Sequence, residues 1–233
     1  MKTLKKLFAP VDMTLGAPWE KILLFTVPML LGNIAQQLYN TVDSVVVGKY
    51  VGDNALAAVG SAGPILNLLI VLYIGISMGA SIKVSQYFGA RDREALSHTI
   101  GNCIVLTFIA SVFVMAVGML MTRPLLMLLH TPDSILDWCT EYLHILFIGA
   151  GGMAFYNILS GVLRGLGDSV SALVYLIVAS LLNIVLDLVF VVNFGMGVAG
   201  VALATVIAQA ISGVLCVRRL CQLKDLFAMG LRY

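Results

Sequence analysis

The sequence predicts an all-α, polytopic membrane protein built as a bundle of six transmembrane helices. Composition, the length of the apolar blocks and the distribution of basic residues each support this class. Of the 233 residues, 60% are hydrophobic and 11% are charged, whereas soluble domains carry about 25% charged residues. A soluble domain cannot cover this much apolar sequence with polar surface. The net charge of +2 is too small to indicate a nucleic-acid partner, and none is expected.

Six apolar blocks are long enough to cross a bilayer as helices, which needs roughly 20 residues each. They exceed the roughly 9–11 residues of a membrane strand and do not alternate in polarity. A helix also pairs the backbone N–H and C=O groups with one another, which the absence of water within lipid requires. Together the blocks predict a transmembrane lobe over residues 22–217. Its spans are about 22–47, 57–82, 98–121, 139–163, 170–192 and 198–217.

The basic residues predict that both termini are cytoplasmic. With the N-terminus inside, only Lys49 and Arg123 fall on outer segments, which leaves twelve of the fourteen basic residues inside. This asymmetry satisfies the positive-inside rule. Residues 1–21 are predicted to be a cytoplasmic leader, because an early proline and aspartate interrupt the apolar run of a secretory signal. Residues 218–233 are predicted to be a basic cytoplasmic tail.

Most acidic residues fall in loops or at span ends, and two do not: Asp43 in the first span and Asp187 in the fifth. An intramembrane carboxylate costs about 2.5–3.5 kcal/mol on insertion scales, so a functional role is the default hypothesis. The alternative is a hydrogen bond between helices. Both acids belong to polar stripes at helical spacing. The stripes comprise Asn33, Gln36, Tyr39 and Asn40, then Ser180 and Asn183, and in the sixth span Thr205, Gln209 and Ser212.

The predicted topology brings four of these residues to similar depth in the outer half of the membrane. At about 1.5 Å per helical residue, Asp43, Asn183, Asp187 and Thr205 form one level. Their hard oxygen atoms suit a small cation or a proton. Because burial and a like-charged neighbour disfavour an ionised carboxyl, a proton and a cation would compete there. We therefore predict a proton or Na⁺ site at these residues, with Tyr39 beside it.

The remaining polar side chains of the stripes cannot favourably face lipid. Gln36, Asn40, Ser180 and Gln209 are therefore expected to line an interior cavity. Pro28 interrupts the first span, and a proline within a helix removes one backbone hydrogen bond and favours a kink. We predict a hinge there, with a static kink as the alternative.

These segments resemble the MATE (multidrug and toxic compound extrusion) transporters. Residues 25–48, with the runs FTVP and QQLYNTVD, resemble the first helix of the family. The run LRGLGD at 163–168 resembles the signature after the fourth helix. Residues 183–187 and 195–209 look like the fifth and sixth helices. The resemblance covers nearly the whole chain.

The resemblance implies a transporter, not an enzyme, in the plasma membrane of a bacterium. Members export lipophilic, often cationic, compounds in exchange for Na⁺ or H⁺, so no cofactor other than the coupling ion is expected. The resemblance also implies that Asp43, Asn183, Asp187 and Thr205 form the ion site of the amino-terminal lobe. It further implies that the first helix bends at Pro28 on protonation.

The chain departs from the family pattern in length. MATE transporters usually have twelve helices in two lobes, whereas six spans and no internal repeat are predicted here. The chain therefore resembles the amino-terminal lobe, and residues 218–233 look like the start of the connection between lobes. We expect either a truncated transporter or a lobe that requires a second lobe or a homodimer partner.

Two other functions stay open at this stage. A lipid-linked-precursor flippase or polysaccharide exporter of related fold would need basic residues in its cavity, whereas the predicted interior ionisable residues are acidic. An intramembrane enzyme would use Asp43 and Asp187 as a dyad sharing one proton and a water molecule. The neighbouring Asn183 and Thr205 fit ion coordination better than that chemistry.

Overall fold

The computed structural model describes residues 18–223, and this range is helical with no strand. The all-α prediction is therefore confirmed. Residues 1–17 and 224–233, which hold most of the predicted leader and tail, lie outside the described range. The described helices are α1 (Pro18–Tyr50), α2 (Asp53–Gly89), α3 (Arg93–Leu128), α4 (Asp133–Ile148), α5 (Ala150–Gly165), α6 (Ser169–Asp187), a π-helix (Leu188–Asn193) and α7 (Gly197–Gln222).

The helices carry the apolar length that membrane crossing requires. Among the described residues, α2, α3, α7 and the segment Ser169–Asn193 are each long and apolar enough to span a bilayer, and the bent pair α4–α5 makes a fifth. Apolar side chains stand exposed on the outside of the bundle, as lipid contact demands, for example Leu68, Phe113 and Leu120. The predicted first span lies in α1, which carries the polar stripe. Six crossings and cytoplasmic termini stay predictions.

The predicted fourth span, 139–163, is not one straight helix. It consists of parts of α4 and α5, which are bent by 54° relative to each other. The break falls at Gly149, where an added Cβ would collide with the side chain of Val206 on α7. Glycine within a helix is also unfavourable by about 0.5–1 kcal/mol relative to alanine. Close packing against α7 therefore selects a glycine, and the glycine weakens the helix at that point.

The predicted fifth span, 170–192, changes its helical form near its end. The α-helix α6 ends at Asp187, and the chain continues as the π-helix to Asn193. Short π-helical segments often occur at functional sites. The turn that follows contains Gly195 with φ +64°, and Gly197 at the start of α7 has φ +58°. Glycine adopts this left-handed conformation without the steric cost that other residues incur.

Helix α7 lies at the centre of the bundle and packs against α4, α5, α6 and the π-helix, while α1 packs mainly against α6. The ends of α6 and α7 are joined by a buried ion pair, in which Arg219 Nε lies 2.7 Å from Asp168 Oδ2. Asp168 also caps α6 by accepting from the backbone N–H and the hydroxyl of Ser171. This packing brings the polar stripes of α1, α6 and α7 together.

Candidate functional site

Thr205 on α7 links the polar stripes of α1 and α6. The Tyr39 hydroxyl on α1 donates to Thr205 Oγ1 at 3.1 Å, and Asn183 Nδ2 on α6 donates to the same oxygen at 3.3 Å. All three side chains are buried. A hydroxyl oxygen has two lone pairs, and both accept here. In this arrangement Thr205 holds the other two side chains in position.

The two intramembrane carboxyl groups lie next to this linkage. Asp43 follows Tyr39 by one turn of α1, and Asp187 follows Asn183 by one turn of α6, so each pair shares a helix face. The carboxyl groups of Asp43 and Asp187 lie close enough to interact directly. Asp187 is completely buried. The helix packing therefore brings Tyr39, Asp43, Asn183, Asp187 and Thr205 into one cluster.

This cluster contains more acceptors than donors. Within residues 18–223, five buried side-chain oxygens have no hydrogen-bond partner: Asp43 Oδ1, Asn183 Oδ1, both carboxyl oxygens of Asp187, and Gln209 Oε1. An unsatisfied buried acceptor costs about 1–3 kcal/mol, and more when it is charged. A bound proton or small cation would remove this cost at the carboxyl groups. The described range has no group of three His, Cys, Asp or Glu side chains that could hold a metal ion.

Other predicted site residues lie outside the cluster. The Ser180 hydroxyl donates to the Leu176 carbonyl of its own helix at 2.9 Å. Gln36 and Asn40 line a cleft, described below, and the Asn40 side chain is exposed. Pro28 also lines this cleft, and α1 stays helical through it.

Tyr142 on α4 is a member of the cluster that the sequence did not reveal. It is buried, and it lies close enough to Asp43 and Asp187 for their charges to act on its hydroxyl. A single tyrosine in an apolar span carries no recognisable signal. Its place depends on how α4 packs against α7, which sequence periodicity does not specify.

A cleft of about 590 Å³ opens between α1, α2, α5 and α6, and Gln209 of α7 contributes to its wall. Polar side chains from several helices line it, including Asn33, Asn67 and Asn157. Among the described residues that line the cleft, Arg164 alone is charged. The expectation that the interior ionisable residues are acidic is therefore wrong for this cleft. Arg164 lies in the last turn of α5, and its position in the sequence indicated only that it lies near the inner surface.

Residues 28–189 match the MatE family model. The chain belongs to the MATE family. It is 37% identical over 194 residues to "Probable multidrug resistance protein YoeA" of Bacillus subtilis, covering 82% of this chain and 42% of that protein. It is 34% identical over 201 residues to YpnP of the same organism, covering 86% of this chain and 45% of that protein.

Solved MATE structures have the same fold. A crystal structure described as MATE in the bent conformation superposes with a TM-score of 0.87 at 29% identity. The match covers 100% of this chain and 50% of that one. The chain therefore spans about half the length of the MATE relatives it matches. MATE proteins are multi-pass membrane transporters, which excludes the intramembrane enzyme considered above.

Proposed function

We propose that this chain is the amino-terminal lobe of a MATE antiporter that exports lipophilic, often cationic, compounds in exchange for Na⁺ or H⁺. Family membership and the multidrug names of its relatives support the export of drugs. The observation that carries the ion-coupled part is the set of buried oxygens without donors around Asp43 and Asp187. A bound proton or cation would interact with these oxygens and offset the cost of burying them.

Three residues supply the oxygens for the ion in this proposal. Asp43, Asn183 and Asp187 present oxygens that accept nothing from the described protein, while Tyr39 and Thr205 fix the positions of α1 and α7. Oxygen ligands of this kind suit Na⁺ or a proton rather than a soft transition metal. Since both ions need the same carboxyl oxygens, binding one expels the other. Direct ligation by Thr205 or Tyr39 needs their hydrogen bond to open, and this stays a prediction.

The coupling step would pass through α1, which contributes residues to both the ion cluster and the cleft. Tyr39 and Asp43 belong to the cluster, and Gln36 and Asn40 line the cleft. Pro28 also lines the cleft, and the hydrogen bond that it removes makes α1 easiest to bend there. Loss of the carboxylate pair's charge on protonation would change the packing of α1 against α6. We infer that this change bends α1 at Pro28 and reshapes the cleft.

A partner is part of the proposal, because the chain spans about half the length of its relatives. The cleft lies on an open face of the bundle, which a second lobe or a second copy of this chain would cover.

The flippase of related fold remains a second candidate, since Arg164 in the cleft is the kind of basic residue it requires.

Efflux from drug-sensitive bacteria tests the proposal. The cells would make residues 1–233 alone, or fused to the half of YoeA that this chain does not match. Efflux of a fluorescent lipophilic cation is expected from the fusion, and Asp187→Asn should abolish it. The matched control is Asp137→Asn, since the Asp137 side chain is 83% exposed. Equal efflux in the well-inserted Asp187→Asn fusion would exclude Asp187 from coupling.

A further inference from the structure

Arg164 is a cation in the wall of the cleft, and no carboxylate of the described residues forms an ion pair with it. Its Nη2 donates to Ser77 Oγ on α2 at 3.3 Å, and its charge acts on the hydroxyl of Tyr156 and the thiol of Cys216. Both ion pairs found in residues 18–223 involve other arginines, Arg123 and Arg219. The side chain of Arg164 is half-buried, and a partly desolvated charge without a counter-ion is unfavourable.

The surrounding structure holds Arg164 in place and leaves donors available. Ser77 donates to the Asn157 carbonyl at 2.8 Å, and a Cβ at Gly161 would collide with Ser77 Oγ. This close approach of α2 and α5 fixes the residue that accepts from Arg164. A guanidinium has five N–H donors, and Ser77 uses one of them. The end of α5 offsets the charge only in part through its helix dipole.

The lining of the cleft combines polar and apolar side chains. Asn157 and Ser160 on α5 and Ser169 at the start of α6 each contribute a neutral polar group. Met29, Ile74 and Leu176 supply apolar surface. Gln209 is buried and adds an oxygen without a partner to the wall. A ligand with an acidic head and an apolar body would contact both kinds of side chain and place its charge at Arg164.

We propose that the cleft binds amphiphilic compounds that carry an anionic group, a carboxylate, sulfonate or phosphate, and that Arg164 binds that group. The planar guanidinium donates two parallel hydrogen bonds to such a group, a geometry that lysine lacks. The inference rests on the proposed function and extends it, because it adds compounds with an anionic group to the lipophilic, often cationic, compounds proposed for this lobe. A zwitterionic drug and an anionic lipid headgroup share this chemistry.

A matched pair of probes tests this inference without any substitution. The purified chain, in an uncharged detergent, would be titrated with 11-(dansylamino)undecanoic acid and with its methyl ester, which differ only in the carboxylate. The fluorescence of the dansyl group reports binding. The acid is expected to bind at least about tenfold more tightly than the ester, the ratio expected for one charge-assisted hydrogen bond. Equal affinities for the acid and the ester would overturn the inference.

Substitutions then locate the contact. Arg164→Gln is expected to remove the preference for the acid while leaving ester binding unchanged, and Arg164→Lys is expected to keep part of it. Arg123→Gln is the control, because that side chain is 61% exposed and pairs with Asp137. A preference for the acid that persists in a folded Arg164→Gln protein would refute Arg164 as the contact.

Competition identifies the source of the anionic group. Displacement of the acid by phosphatidylglycerol but not by inorganic phosphate would indicate a lipid headgroup, and displacement by phosphate would indicate a soluble anion. Displacement by neither, with the acid preference intact, would support a drug-like acid. The infrared C=O band of the protonated carboxyl groups, recorded on the same preparation, tests the proposed ion site separately. If the protein binds the acid no more tightly than the ester but still binds the ion, this inference is refuted and the proposed ion site is not.

Discussion

Thr205 has a central role at the scale of single residues, because its hydroxyl accepts from two different helices. The donors come from Tyr39 at 3.1 Å and Asn183 at 3.3 Å. With both donors engaged there, Asn183 Oδ1, Asp43 Oδ1 and both carboxyl oxygens of Asp187 have no hydrogen-bond partner among the described residues. The linkage therefore leaves the concentration of acceptors on which the proposed ion site depends.

Thr205→Val keeps the size of the side chain and removes the acceptor. Two buried donors then lose their partner, and each unsatisfied group costs about 1–3 kcal/mol. We expect the variant to unfold at a lower temperature and to bind the coupling ion more weakly. Thermal unfolding in detergent measures the first effect. Thr205→Ser keeps the hydroxyl and should therefore retain most of the stability. An unchanged unfolding temperature and an unchanged affinity for the coupling ion in Thr205→Val would contradict this role.

Asp43→Asn keeps the shape of the side chain and removes one of the two interacting carboxyl groups. Because a like-charged neighbour disfavours ionisation, the remaining Asp187 should ionise more easily in this variant. We expect transport by the fusion protein to lose its normal dependence on pH and Na⁺. Efflux measured across a pH series, with and without Na⁺, would show this. Wild-type dependence in the variant would remove Asp43 from the mechanism.

The sequence predicted this cluster better than it predicted the cleft. Asp43, Asn183, Asp187 and Thr205 are polar residues at helical spacing in apolar spans, and the cost of exposing them to lipid is a signal that one sequence carries. Tyr142 and Arg164 carry no such signal. Tyrosine is common in apolar segments, and a basic residue near a span end satisfies the positive-inside rule whatever it contacts.

At the scale of the elements, the break between α4 and α5 shows how packing overrides periodicity. The apolar pattern of residues 139–163 favours one helix, but Gly149 lies against Val206 and the two halves diverge by 54°. The π-helix at Leu188–Asn193 was likewise absent from the prediction. The π-helix has only 6 residues, little more than one turn. Such a short segment hardly changes the hydrophobic pattern, so the sequence does not reveal it.

Gly149→Ala tests the reason for this break. The added Cβ would collide with Val206, so α7 must shift, and overpacking of this kind typically costs 1–3 kcal/mol. We expect a lower unfolding temperature in detergent. Gly75→Ala is the matched control, because a Cβ at Gly75 has no neighbour within 4 Å and alanine favours a helix. Equal stability of the two variants would contradict the packing explanation.

At the scale of the whole molecule, the bundle has two polar features that share helix α1. The cluster proposed to bind the ion lies between α1, α6 and α7, and the cleft lies on the face where α1, α2, α5 and α6 meet. Ion occupancy and cleft shape are therefore expected to depend on one another through α1. The chain spans about half the length of its relatives, so a second lobe is expected to complete the enclosure of the substrate.

The central claim is that Asp187 and Asp43 hold a proton that can be lost or replaced by a cation. Infrared difference spectra of the purified chain test it directly, since a protonated carboxyl has its own C=O band. Raising the pH or adding Na⁺ is expected to remove such a band in the wild type and in Asp137→Asn, and to remove none in the double variant Asp43→Asn, Asp187→Asn. The same band change in the folded double variant would contradict the account.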